Sequence, residues 1–211
     1  MSENFYQKLF ARYYDRFMDR TEKVILRKRR KRLLSPLRGN ILEIGSGTGV
    51  NFPLYGEDAH VIAAEPSQAM MDRALHYKSR SGDGWKSRIT PLVGGIGDRH
   101  LEETVAPGSM DVVVCTLVLC TVPDLDQAVA FIKSRLKPGG KLILLEHVVS
   151  ETGGLRFIQN SLNPFWKKFS LGCNLNRDPE RAVKAHGFKL LEEEHFRKSF
   201  PFYQGVFTLP A

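Results

Sequence analysis

The stretch Asn40-Ile41-Leu42-Glu43-Ile44-Gly45-Ser46-Gly47-Thr48-Gly49 limits what this chain can become more than any other. An apolar run holding one carboxylate feeds into glycines at every second position. Glycine has no Cβ, so the backbone can turn sharply there and approach a small molecule closely. Twenty residues after Gly45 comes Glu65, at the end of a second apolar run, Val61-Ile62-Ala63-Ala64. A carboxylate in that place can accept both hydroxyls of a ribose held over the glycine turn. The spacing is GxGxG rather than the GxGxxG of a dinucleotide site, and Pro53 prevents a long unbroken helix after the turn. The alternative is a plain strand-turn-helix with no ligand.

From Asn40 onward strand and helix patterns alternate, which predicts an α/β fold with a parallel sheet and crossover helices. Strands are expected at 41–45, 60–64, 89–93, 111–116 and 141–147. Ser67 caps a helix to about residue 78, followed by a polar loop at 79–86. A second helix covers 126–136, and Lys137-Pro138-Gly139-Gly140 is a tight turn. Residues 150–177 read as a less regular insertion that walls a pocket with Phe157, Phe165, Trp166 and Phe169. Asp178 starts a helix to about residue 186, ended by Gly187, and 188–194 with 203–209 make a closing hairpin. Ligands in such sheets bind at the carboxyl ends of the strands, which places Thr116, Leu117, Glu146 and His147 at the border of a site.

A chain of 211 residues with 42% hydrophobic and 26% charged residues is globular and holds one α/β domain, here 37–211. Residues 1–36 read as two helices in front of it. Phe5, Leu9, Tyr13 and Phe17 recur every four residues beside Tyr6, Phe10 and Tyr14, and Val24, Ile25, Leu33 and Leu34 mark a more basic second helix. The pair either packs as a lid on the sheet or meets lipid. Net charge is +8, and residues 27–32 are six consecutive cations. This run is a solvated helix face or a contact with an anionic membrane, where each cation adds ~1 kcal/mol. Nucleic acid is not expected as a partner, because no aromatic residues interleave with the charges. No apolar segment reaches the ~20 residues that span a bilayer, and no signal peptide is read, so a cytoplasmic location, peripheral to a membrane at most, is expected. Three cysteines without ligand spacing argue against a disulfide framework and against zinc, so no metal is expected.

Several segments together resemble one family. They are Leu42 to Phe52, Glu65-Pro66, Ser109 to Val122 with its Cys-Thr-Leu-Val-Leu-Cys core, Leu136-Lys137-Pro138-Gly139-Gly140, Glu146-His147-Val148 and Gly172-Cys173-Asn174-Leu175-Asn176-Arg177. The chain resembles class I S-adenosylmethionine-dependent methyltransferases, and within them the group of alkyl-thiol S-methyltransferases and bacterial relatives. The resemblance implies a Rossmann-like, seven-stranded, mostly parallel sheet with an antiparallel last strand. It implies S-adenosyl-L-methionine as cofactor, held by Glu43, Gly45, Ser46, Gly47, Thr48, Gly49, Asn51, Glu65, Pro66, Thr116 and Leu117. The animal enzymes carry a hydrophobic membrane anchor where this chain has amphipathic, basic helices.

Other candidate residues keep a second reading. Gly97 and Asp98 face the adenine or form an ordinary glycine-rich turn. Tyr14 reaches the methionine end of the cofactor or packs as a core tyrosine. His147 is a base or orienter, or a buried histidine bonded to backbone. Cys115, Cys120 and Cys173 are nucleophiles or methyl carriers, or inert small hydrophobes. Cys120, Phe165, Trp166 and Asn174 line a substrate pocket or pack as core. The Asn/Asp-Pro-Pro-aromatic motif of amino-directed enzymes is replaced after strand four by Cys115-Thr116-Leu117-Val118, which disfavours nucleic-acid amino methylation. The expected reaction is methyl transfer to a small lipophilic thiol. The alternatives are N-methylation of a phosphatidylethanolamine headgroup and a non-catalytic cofactor-binding role at a membrane surface.

Overall fold

A computed structural model describes residues 5–80, 87–197 and 200–210. The chain divides after Thr104 into two compact units.

The first unit opens with helix α1 (Phe5–Thr21), a π-helical turn (Glu22–Leu26) and helix α2 (Arg27–Leu34). The expected pair of helices is therefore one run, locally widened rather than broken. Its apolar stripe is largely open to water: Phe5, Tyr6, Leu9, Tyr13 and Phe17 are all exposed. Strand β1 (Gly39–Ile44) leads into the glycine turn and a short 3-10 helix (Phe52–Leu54) that begins beside Pro53. Strand β2 (Ala59–Glu65), helix α3 (Gln68–Arg80), strand β3 (Ile89–Val93) and helix α4 (Arg99–Thr104) complete the unit. The Ser67 hydroxyl accepts the Met70 N–H at 3.2 Å, which starts α3 where expected. The loop expected at 79–86 lies largely outside the described residues. The strands pair in parallel, with Ile44 beside Ala64 and Glu65 beside Val93. Ile41, Leu42, Val61, Ala63, Met71 and Ala74 form the core that fixes the glycine turn at the end of β1.

The second unit contains strand β4 (Met110–Thr116), helix α5 (Leu125–Arg135), strand β5 (Leu136–His147), helix α6 (Gly153–Phe169), helix α7 (Pro179–Ala185), and strands β6 (Lys189–Arg197) and β7 (Pro201–Thr208). Asp124 and Asp178 cap α5 and α7 by accepting the N–H of Gln127 and Arg181, each at 2.9 Å. The expected tight turn at 137–140 is instead the irregular start of β5, with Gly139 in the left-handed region at φ 75° and its N–H donating to the Leu209 carbonyl. The insertion is not irregular either. Seventeen of its residues form α6, with Pro164 inside the helix. Gln159 anchors that helix from a fully enclosed position: its amide donates to the Val148 and Leu175 carbonyls at 3.0 and 2.9 Å and accepts the Ser150 N–H at 2.7 Å.

The strands form one mixed sheet in the order β3-β2-β1-β4-β5-β7-β6. β7 runs antiparallel to both β5 and β6, as expected for the last strand. Among the described residues, no helix is long and apolar enough to cross a membrane.

Candidate active site

In the first unit Gly45, Gly47 and Gly49 all lie in the left-handed region, at φ 69°, 56° and 78°. A side chain is strained there, which is why this turn needs glycine. A Cβ at Gly49 would also meet the Phe52 ring at 2.8 Å, whereas one at Gly47 would meet nothing within 4 Å. The turn's requirement at Gly47 is thus conformational, and the space above it is open. Glu65 grips the turn from the neighbouring strand. One carboxylate oxygen accepts the Gly47 N–H and the other accepts the Ser67 N–H, each at 2.9 Å. A carboxylate oxygen has two acceptor sites, which is the chemistry a diol calls for. The Ser46 hydroxyl is buried without a hydrogen-bond partner. An orphaned hydroxyl of this kind, beside open glycine backbone, fits a polar ligand.

Behind the turn runs a buried polar chain. Arg30 donates to Glu22 at 3.2 Å and to the Asn51 side-chain carbonyl at 2.9 Å. The Asn51 amide donates to one oxygen of Glu43 at 2.7 Å, and the Tyr55 hydroxyl donates to the other at 2.9 Å. Burial pushes the Glu43 carboxyl up to about 7, against the pull of those hydrogen bonds and of Arg30. Glu43 and Asn51, expected to touch a cofactor, are therefore engaged with each other as the support of the turn. Arg30, one of the six cations expected on a solvated or lipid-facing run, is 3% exposed and belongs to this support.

Asp15 on α1 accepts from the Thr48 hydroxyl at 2.6 Å and from Arg73 at 3.0 Å, which brings the N-terminal helix to the glycine turn. Tyr14 is half-buried and tilts against Phe10, with ring centroids 5.5 Å apart. Pro66 is exposed and packs toward Gly95, where a Cβ would come within 3.2 Å of its ring. Gly97 and Asp98 are exposed, and Asp98 accepts the N–H of Gly95 at 2.6 Å. That bond is the ordinary-turn reading of these two residues.

The second unit gathers a different set. Thr116 is buried at the end of β4, and Leu117 beyond it stands in the left-handed region at φ 58°. For a leucine this costs of order 1–3 kcal/mol, and it persists because the surroundings over-determine it. The Leu117 N–H reaches the Leu145 carbonyl at 2.9 Å, and the next two N–H groups, of Val118 and Leu119, donate to one oxygen of Glu146 at 2.9 and 3.0 Å. Glu146 is fully enclosed, and burial raises its pKa against those two donors. Its second oxygen has no partner. Arg177 ties the same loop from the other side, donating to the carbonyls of Leu119, Val122 and Pro123.

That loop carries Cys120, and a second tight turn carries Cys173. Leu171 at φ 53° and Gly172 at φ 108° form this turn. Asn174 locks it down: its N–H and its side-chain amide donate to the Cys120 carbonyl at 2.8 and 3.0 Å. Asn174 thus positions the Cys120 loop against this turn. The Cys173 sulfur lies 3.6 Å from that of Cys120 and 2.7 Å from Nε2 of His147. The hydrogen bond between the two sulfurs lowers the Cys173 pKa to about 4 against the effect of burial, with His147 adding to the shift. The same hydrogen bond, together with burial, pushes Cys120 well up. Burial works to lower His147, but the bond to Cys173 and its charge outweigh it and the imidazole is raised. The Trp166 indole N–H makes no hydrogen bond of its own but lies near enough to favour a Cys173 thiolate.

Cys120 and Cys173, read as reactive residues or as small hydrophobes, meet each other and His147. Phe165 does not line an enclosed pocket, being 77% exposed on a face of α6 that also carries Phe157, Ile158, Leu162 and Phe169. Trp166 packs with Phe169 and Phe200 at ring separations of 6.0 and 6.2 Å. Gln159, Arg177 and Arg30 were missed, because long-range anchoring by a polar side chain leaves no local pattern.

A family model described as a methyltransferase domain matches residues 12–193. Human thiol S-methyltransferase TMT1A is 31% identical over 159 residues, covering 75% of this chain and 63% of the human protein. Phosphatidylethanolamine N-methyltransferase of Cereibacter sphaeroides is 25% identical over 156 residues, covering 74% of this chain and 72% of that protein. Among solved structures, Haemonchus contortus phosphoethanolamine N-methyltransferase 2, in complex with phosphomonomethylethanolamine and S-adenosylhomocysteine, superposes with a TM-score of 0.71 at 17% identity, covering 100% of this chain and 61% of that one. This last likeness is one of fold.

Proposed function

Because the chain belongs to the methyltransferase-domain family, with the matching model spanning residues 12–193, we propose that it transfers the methyl group of S-adenosyl-L-methionine to a small lipophilic thiol. The observation that carries the acceptor class is the 31% identity to a human protein named as a thiol S-methyltransferase. The match spans 63% of that protein's length.

The cofactor reading rests on the first unit. Glycine backbone with open space at Gly47, the unpartnered Ser46 hydroxyl and the Glu65 carboxylate at the turn suit a ribose and a polar amino-acid tail. Gly45, Gly49 and Thr48 shape the turn, and Tyr14, Pro66, Gly97 and Asp98 stand at its margins. The bound sulfonium supplies an electrophilic methyl carbon. The protein's part is to hold a nucleophile in line with the S–CH3 bond. A thiol needs the least assistance, since at a pKa of ~8.5 it is already a few per cent thiolate near neutral pH. With the cofactor bound, the thiol would release its proton to solvent, its sulfur would form the new bond to the methyl carbon, and the electron pair of the broken S–CH3 bond would stay on the cofactor sulfur. Thr116 and Leu117 hold the backbone at the end of β4. His147 acts with Cys173 as one unit on the acceptor side, because their 2.7 Å contact makes them chemically inseparable.

N-methylation of an ethanolamine lipid is the second reading. The exposed apolar face of α6, with Lys167 and Lys168 beside it, is the feature that favours it, together with the bacterial relative named for that activity. Release of S-adenosylhomocysteine by the purified protein, with a lipophilic thiol in one vessel and ethanolamine-lipid vesicles in another, separates the two. Turnover with the thiol alone supports the reading; turnover on vesicles alone replaces it.

A further inference from the structure

We infer that Cys120, His147 and Cys173 form a binding site for a thiophilic divalent metal ion of the zinc class. Their sulfur and ring-nitrogen atoms all lie within 4.8 Å of one another. The donor set, two thiolates and one imidazole, is the one such ions prefer, and three protein ligands leave the fourth position open. A tetrahedron of ~2.3 Å metal–sulfur bonds has a sulfur–sulfur edge of roughly 3.8 Å, and the two sulfurs stand 3.6 Å apart. The matching sulfur–nitrogen edge is roughly 3.5 Å. From the present 2.7 Å the imidazole would therefore have to withdraw slightly to admit an ion.

Each ligand comes from a separately fixed segment. His147 ends β5, the Cys120 loop is held by Glu146 and Arg177, and the Cys173 turn is held by Asn174. Among the described residues, the non-glycine residues in the left-handed region are Leu117 and Leu171, and they lie in the segments that deliver the two cysteines. Strain concentrated in this way marks built sites. Burial also suits the role: Cys120 is 1% and Cys173 9% exposed, so the donors are largely dry. A second acidic-histidine cluster, Glu180, Glu193 and His195, is less enclosed, and its carboxylates already pair with Lys184.

An external thiol can occupy the open position as a thiolate, releasing its proton to solvent and keeping its nucleophilic sulfur. This role rests on the thiol reading above; the metal site itself does not.

The test is a titration of the reduced, full-length protein with cobalt(II), followed by its absorption. One equivalent with tetrahedral, thiolate-type bands, displaced by zinc, is expected. Cys173→Ser and His147→Ala should each weaken binding by more than the ~10–100-fold that loss of an outer-sphere partner costs. Cys115→Ala, outside the cluster, should bind as the parent does, and circular dichroism establishes that each variant is folded. Absence of bands with one equivalent of cobalt overturns the site, as do bands unchanged in folded Cys173→Ser. Adding a lipophilic thiol should then shift the cobalt bands. Intact bands that ignore the thiol overturn the role in acceptor binding while leaving the site in place.

Discussion

The Glu65 carboxylate accepts the N–H of Gly47 at 2.9 Å, so a side chain at the end of β2 holds the glycine turn that follows β1. The anchor expected for a ribose thus has a structural duty as well, and the two can be separated. Glu65→Ala removes both the turn's acceptor and the diol's acceptor, and should lower cofactor affinity by at least ~10-fold, the equivalent of one lost charge-assisted hydrogen bond. Glu65→Gln keeps one carbonyl acceptor and should retain the fold. Calorimetry with S-adenosylhomocysteine on both variants is the check, and parent-like affinity in Glu65→Ala would remove Glu65 from the cofactor site.

Glu43 gives a pH signature. Its carboxyl is raised to about 7 in the fold from an ordinary value of 4.5. Between those values the folded state binds more protons than the unfolded chain, so stability falls as pH rises through this window and levels off above it. The span corresponds to about 3 kcal/mol at most. Glu43→Gln cannot titrate and should lose that slope. Urea midpoints from pH 4.5 to 8 for the parent and the variant would show it; parallel curves would mean that the Asn51, Tyr55 and Arg30 contacts keep the carboxylate charged throughout.

The basic run splits into two functions. Arg27, Lys28, Lys31 and Arg32 are exposed, whereas Arg30 is enclosed with Glu22 and Asn51. Replacing the four exposed cations by glutamine should weaken binding to anionic vesicles, with the effect fading as salt is raised, and leave the melting temperature near its original value. Arg30→Gln should do the reverse, destabilising by roughly 3 kcal/mol because it leaves buried partners uncompensated. Equal vesicle binding before and after the fourfold change would return this face to solvent contact alone.

Gln159 is the most concentrated anchor of α6, with hydrogen bonds to Val148, Ser150 and Leu175. Gln159→Leu fills similar volume and strands all three backbone groups, so a loss of about 2–4 kcal/mol is expected. Chemical unfolding measures this directly. A change under ~1 kcal/mol would mean that water replaces the amide.

What the sequence disclosed and what it hid differ in range. The glycine turn, the carboxylate ending β2, and the helix starts at Ser67 and Asp178 are local chemistry, legible because their residues are near neighbours in the chain. Helix α6 was also within reach: Phe157, Ile158, Leu162, Phe165 and Phe169 recur at helical spacing, although Gly153, Gly154 and Pro164 are poor helix formers. Its apolar face turned out exposed, which periodicity cannot tell from a buried one. The meeting of Cys120, His147 and Cys173 was out of reach. Cys120 and Cys173 are 53 residues apart, and His147 is 26 from the second. Ligand-spacing rules see only near neighbours, so an absence of local spacing was no argument against a site. Glu43 and Asn51 mark the opposite limit, where a motif shared with cofactor-binding chains placed two residues near the turn without showing that they face each other.

The most direct measurement is a single turnover with S-adenosylmethionine carrying a deuterated methyl group, protein in excess, and one lipophilic thiol, with products identified by mass spectrometry. The account predicts a thioether carrying the labelled methyl, formed in equal amount to S-adenosylhomocysteine and lost in Glu65→Ala. Labelled cofactor recovered unchanged, with the protein shown by calorimetry to bind it, would contradict thiol methylation while leaving the fold and the cofactor site standing.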